Sequence, residues 1–198
     1  MQDSPIRDPL SNWQAIELPG FGSLQVRTSS NWIPVRQQAA GLPPTFGFRE
    51  TPTGQDRLIV TVTTIDADKV LSDDQLLAFL QQAFDQLRGQ VLEEKPEICQ
   101  IITNAGHGFF FTVTDPAPKA CEFLYMTNGF VPAGGVLLSF TVLTNPQEQL
   151  LFARALATIR SAVHHPEGAA AALSDPVLRP YAGRRTHSSP TRDVGPFD

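Results

Sequence analysis

The 198-residue chain is short of the features that usually announce a chemistry. It has two cysteines, Cys99 and Cys121, too few for a disulfide framework. Charged residues make up only 18% of it, below the usual quarter. Its 15 basic residues are outnumbered by 20 acidic ones, for a net charge of −5, and the one basic cluster worth noting is Arg179, Arg184 and Arg185. A nucleic-acid partner would need Lys and Arg gathered on one surface, so that class is set aside. No apolar run approaches the roughly 18 residues of a membrane span. Met1 is followed by Gln2-Asp3-Ser4-Pro5 rather than by a basic and then apolar leader, which points to the cytoplasm, or to the periplasm if a leader has been removed. The nucleophile elbow G-x-S-x-G, the phosphate loop G-x-x-x-x-G-K and a G-x-G-x-x-G after a strand are all missing.

What is present is architecture. Within the stretch from Gly134 to Val163, every second residue, Val136, Leu138, Phe140 and Val142, is apolar, with Ser139 and Thr141 between them, the period of a half-buried strand. At Asn145-Pro146 the period changes, with a side-chain cap followed by a residue that has no N–H to lose. Phe152, Ala155, Leu156, Ile159 and Val163 then line one helical face. A second helix is predicted from Ser72-Asp73-Asp74-Gln75, which has the form of a capping box, with Leu76, Leu80, Ala83, Phe84 and Leu87 as its buried face and Arg88-Gly89 as its end.

Strands are predicted at Leu24–Thr28, Phe46–Glu50, Arg57–Ile65, Glu97–Thr103, His107–Thr114 and Cys121–Thr127, besides the Val136 strand. Trp13–Leu18 reads as a short edge strand inside an otherwise irregular stretch, and Trp32 as the anchor of a loop. Consecutive strands with short turns pair antiparallel. The expected fold class is therefore α+β, a mainly antiparallel sheet of about six or seven strands with two main helices. Residues 1–21 read as an irregular N-terminal arm, 22–165 as a single domain, and 166–198 as a mostly disordered tail whose composition cannot offset its ordering entropy.

In this order of elements the chain resembles the PsbP/DcrB-like superfamily, which includes the extrinsic PsbP subunit of photosystem II, a Ran-binding import factor and bacterial DcrB-type proteins. The resemblance rests on Trp32-Ile33-Pro34, the hairpin of Phe46–Ile65, the Ser72–Gly89 helix, the Phe109–Val142 meander and the closing helix with Phe152-Ala153-Arg154 and Ala157-Thr158-Ile159-Arg160. It spans residues 22–163 and implies a three-layer α/β/α sandwich and a protein that binds or assists another protein. It brings no catalytic or binding residue with it, and Asn128–Gly135 is longer than a tight hairpin requires.

Several side chains invite a functional reading. His107, between Gly106 and Gly108, is in phase with Phe109, Phe111 and Val113, so it faces the core side as a base or simply bonds a backbone acceptor at a turn. Asp66, Asp68, Asp73 and Asp74 have carboxylates for a cation, but Leu71 and Leu77 stand where an EF-hand needs Gly and Glu, and acidic residues suit a helix start without any metal. His164, His165 and Glu167 are metal-ligand types, yet adjacent histidines diverge on a helix. Cys99 and Cys121 read as core thiols on strands one apart, too distant to bridge.

Phe130, Val131 and Pro132 form the candidate partner-binding site. They read as an apolar loop tip between glycines, which either protrudes as a partner contact or folds back over an open end of the sandwich. No catalytic residue, metal or cofactor is assigned. The expectation is a non-enzymatic accessory protein whose partner is another protein or a second copy of itself. The alternatives are a chaperone-like adaptor for a secreted effector and an enzyme whose site converges on His107.

Overall fold

The computed structural model describes residues 12–37, 42–65 and 70–167. Ten strands and two helices follow in the order β1 (Asn12–Leu18), β2 (Gly22–Thr28), β3 (Ile33–Gln37), β4 (Thr45–Arg49), β5 (Leu58–Thr64), α1 (Asp73–Leu87), β6 (Cys99–Thr103), β7 (Gly106–Thr114), β8 (Tyr125–Pro132), β9 (Val136–Thr144), α2 (Gln149–Arg160) and β10 (Val163–His165). Seven strands make one antiparallel sheet in the order β3-β4-β5-β9-β8-β7-β6, and β1-β2-β10 make a second, also antiparallel. The class is α+β, with the large sheet at its centre.

Each face of the large sheet has its own core. Phe46, Phe48, Leu58, Val60, Val131, Leu138, Phe140 and Val142 turn toward α2 and the small sheet, where Leu24 and Val26 of β2 and Ala155 and Ile159 of α2 join them in one cluster. Phe111 and Val113 turn the other way, under Leu80 and Phe84 of α1, in a second and smaller cluster. The Phe84 and Phe111 rings meet edge to face at 5.7 Å, an arrangement favoured by the ring quadrupoles. Alternation along β7 explains how Phe110 and Phe111, adjacent in sequence, serve opposite cores.

α1 begins as its capping box requires. The Ser72 hydroxyl accepts from Gln75 N, and the Gln75 side chain accepts from Ser72 N at 2.9 Å. α2 begins three residues later than Asn145-Pro146 predicts. Glu148 stands at its N-cap without a side-chain cap bond, its carboxylate being engaged by Arg57 and Asn145 N, while Asn145 Oδ1 accepts from Leu124 N at 3.1 Å. Its buried residues are Leu151, Ala155, Leu156, Thr158 and Ile159. Val163 lies beyond the helix, in β10, whose three residues pair with β2.

Three further differences stand out. The stretch from residue 12 to 21 is not irregular, since β1 pairs with β2 over all seven of its residues. Trp32 is buried against Phe48 with ring centroids 6.0 Å apart, and it introduces β3 rather than a loop. Among the tail residues expected to be disordered, those from 168 onward lie outside the described residues, as do Asp66 and Asp68.

Candidate functional site

The structure places Phe130, Val131 and Pro132 at the end of β8, not on a protruding loop. β8 is a central strand, paired with β7 on one side and with β9 on the other, where Phe130, Val131 and Pro132 lie opposite Ser139, Leu138 and Leu137. The turn is only Ala133 to Gly135. Glycine and proline inside a strand argue against one, which is why the sequence pattern points to a loop here. Gly129 is glycine for a packing reason: a Cβ there would run into the Phe140 ring. Pro132 is tolerated as the last residue of its strand.

The three side chains part company on this strand. Val131 is fully buried in the larger core and cannot touch a partner. Phe130 and Pro132 point to the α1 face and are half-buried. There the Phe130 ring meets Phe79 of α1, with centroids 5.7 Å apart, and Phe79 remains 37% exposed. Phe79, three residues after Leu76 and four before Ala83, lies at the edge of the apolar face that carries Leu76, Leu80 and Phe84.

This aromatic pair stands at a boundary. α1 packs on β7 and β8. Continuing along the sheet from Phe130, the next residues in register are Ser139 of β9, Thr61 of β5 and Thr45 of β4. Thr45 and Thr61 share a hydroxyl–hydroxyl bond of 3.0 Å, and Thr141 donates to Asn128 Oδ1 at 2.8 Å. Hydroxyl-rich positions of this kind suit a sheet face in contact with water. Apolar and polar surface thus adjoin at Phe79.

His107 lies on the α1 side with Phe109, as its phase predicts, and the two rings are edge to face at 5.6 Å. Its partner is a side chain instead of a backbone carbonyl: Nε2 is 2.8 Å from Oδ1 of Asp73 in the first turn of α1. Both groups are substantially exposed. Among the described residues, no nucleophilic side chain is hydrogen-bonded to the ring, so the pair there lacks the nucleophile–base contact of a catalytic constellation.

The two cysteines are exposed and free, not core thiols. Cys99 opens the edge strand β6, and Cys121 precedes β8 in a loop where its φ is +72°. The alternation that assigned Cys121 to a strand is therefore accidental. His164 Nε2 bonds the Phe21 carbonyl oxygen at 2.7 Å. Among the described residues, no group of three or more His, Cys, Asp or Glu is placed to hold a metal ion. No helix there is long and apolar enough to cross a membrane.

Glu93, which no sequence pattern marks, is the clearest electrostatic feature. Its carboxylate accepts from Thr114 N at 2.8 Å and from the Thr114 hydroxyl at 2.7 Å. Partial burial favours its neutral form, but these bonds to the charged form outweigh it and hold its pKa below the ordinary 4.5. The contact ties the segment after α1 to the end of β7.

No protein-family model matches the chain, and no curated protein does. Among solved structures it is similar to the solution structure of cyanobacterial PsbP (CyanoP) from Synechocystis sp. PCC 6803. The match covers 83% of this chain and 98% of that one, at a TM-score of 0.52 and 15% sequence identity. The fold is PsbP-like.

Proposed function

We propose that the chain is a non-enzymatic accessory protein that docks onto another protein through the α1 side of its large sheet, at Phe79, Phe130 and Pro132. The observation that carries this reading is the Phe79–Phe130 pair at the margin of α1, where one ring is more than a third exposed. Aromatic anchors of this kind supply a large share of the binding energy at interfaces. The PsbP-like fold supports the accessory role. The enzyme alternative is left with the exposed Asp73–His107 pair, to which no nucleophile is bonded among the described residues.

The test is capture from native extract by the full chain and by Phe79→Ser, with melting measured on both. Loss of a specific captured protein by a variant that stays folded, its melting temperature lowered by no more than a few degrees, supports the reading. Equal capture by the two proteins overturns the site. Sedimentation of the purified chain separates self-association through the same surface from binding to a different protein.

A further inference from the structure

On the α2 side, the inward residues of β7, β8 and β9 are apolar for most of their length, with Phe110, Val131, Phe140 and Val142 among them. Toward one end they change to hydroxyls. Thr112, Tyr125, Thr127 and Thr144 form the floor of a cavity of about 270 Å³, closed on one side by the loop after β9 and the first turn of α2. Thr127 and Thr144 are buried residues. A buried hydroxyl costs free energy unless it is bonded. Thr112 and Thr127 bond each other at 2.7 Å, which uses one of their two protons and leaves the other to point elsewhere.

The walls add neutral polar groups and one ring. Asn145 Oδ1 is taken by Leu124 N, which leaves its amide protons to donate. Gln149 is exposed at the mouth, and the Phe152 ring supplies an apolar wall. Among the described residues that line it, Glu148 alone is charged, and it is paired with Arg57 and accepts from Asn145 N at 2.6 Å. From these residues an anion meets no free cation, and a cation meets only a carboxylate already neutralised. We propose that this cavity binds a small uncharged polyhydroxy molecule of about monosaccharide size. Hydroxyl and carboxamide groups match its hydroxyls, the Phe152 ring its C–H surface, and the volume, about 270 Å³, falls just below the range for drug-sized ligands, about 300 Å³ and upward, as a smaller ligand requires. The site is on the opposite side of the sheet from Phe79 and stands independently of the docking surface.

The test uses the full ¹⁵N-labelled chain titrated with D-glucose, with inorganic phosphate as the charged control. Saturable shifts are expected at the amides of Thr112, Thr127, Thr144 and Gln149, with none on phosphate addition. Thr144→Val combined with Gln149→Ala should weaken glucose binding about tenfold, the effect of losing two hydrogen-bonding groups. If that double variant loses its fold, Gln149→Ala alone, at an exposed position, makes the same comparison with a smaller expected drop. Absence of saturable shifts with glucose, equal shifts with phosphate, or affinity unchanged in a folded variant would each overturn the proposal, leaving a cavity that holds water.

Discussion

Asp73 Oδ1 and His107 Nε2 lie 2.8 Å apart across 34 positions of sequence, joining the first turn of α1 to the start of β7. The bond is exposed, so its loss should be felt modestly. His107→Ala and Asp73→Asn are each expected to lower stability by about 0.5–1.5 kcal/mol, and the double variant by less than the sum. Denaturant melts of the four proteins measure the coupling. Additive losses would mean that the two side chains act separately in solution.

Glu93 makes stability depend on pH in a defined direction. Its folded pKa is depressed, so the unfolded chain binds the proton more readily and stability falls as the solution is acidified. The contribution is fully present above the unfolded value and is lost as pH falls through the folded one. Glu93→Gln should therefore be less stable than the parent near neutrality, with the gap narrowing below about pH 4.5. Urea midpoints across that range check it, and a gap that widens in acid would contradict the assignment.

Val131 and Phe79 should separate folding from docking. Val131→Ser puts a hydroxyl and a void into the larger core and is expected to cost about 2–4 kcal/mol. Phe79→Ser removes a ring that packs on Phe130 with one side in water, and should cost under about 1.5 kcal/mol. Thermal melts of the two variants rank them, and a reversed order would place Phe79 in the core.

Cys99 and Cys121 should both react with a thiol reagent in the native state. Two equivalents are expected without denaturant, since both residues are exposed and neither is bonded to the other. Reaction only after unfolding would show that one of them is covered in solution.

The elements that could be read from the sequence are those whose local signals agree with their burial. α1 was legible because its capping box, its apolar face and its terminal Gly89 all point to one segment. β5 alternates cleanly and β9 does from Leu138 onward, while β7 is marked by its run of apolar and β-favouring residues, and the antiparallel order of the meander follows from its short turns. Where tertiary contacts override local preference, legibility ends. Asn145 is a good cap in isolation, but it spends its oxygen on Leu124. Gly129 and Pro132 read as turn residues, while the Phe140 ring needs the missing Cβ and the strand continues past it. β10, with three residues, is too short to carry a period. The candidate site was legible only in part: Phe130 was singled out, but its neighbour Phe79 comes from a helix 50 residues away and joins it only through folding.

α1 rests on a cluster of its own and is fastened at both ends by polar contacts, Asp73 of its first turn to His107 and Glu93, beyond its end, to Thr114. The larger core, on the far side of the sheet, shares none of that cluster's buried residues. The helix is therefore expected to open as a unit while the strands beneath it stay paired, its amides exchanging with solvent together at a lower opening free energy than those of β8 and β9. Weakening either contact should then raise the exchange rate of the α1 amides and expose the Phe111 side of the sheet to water more often.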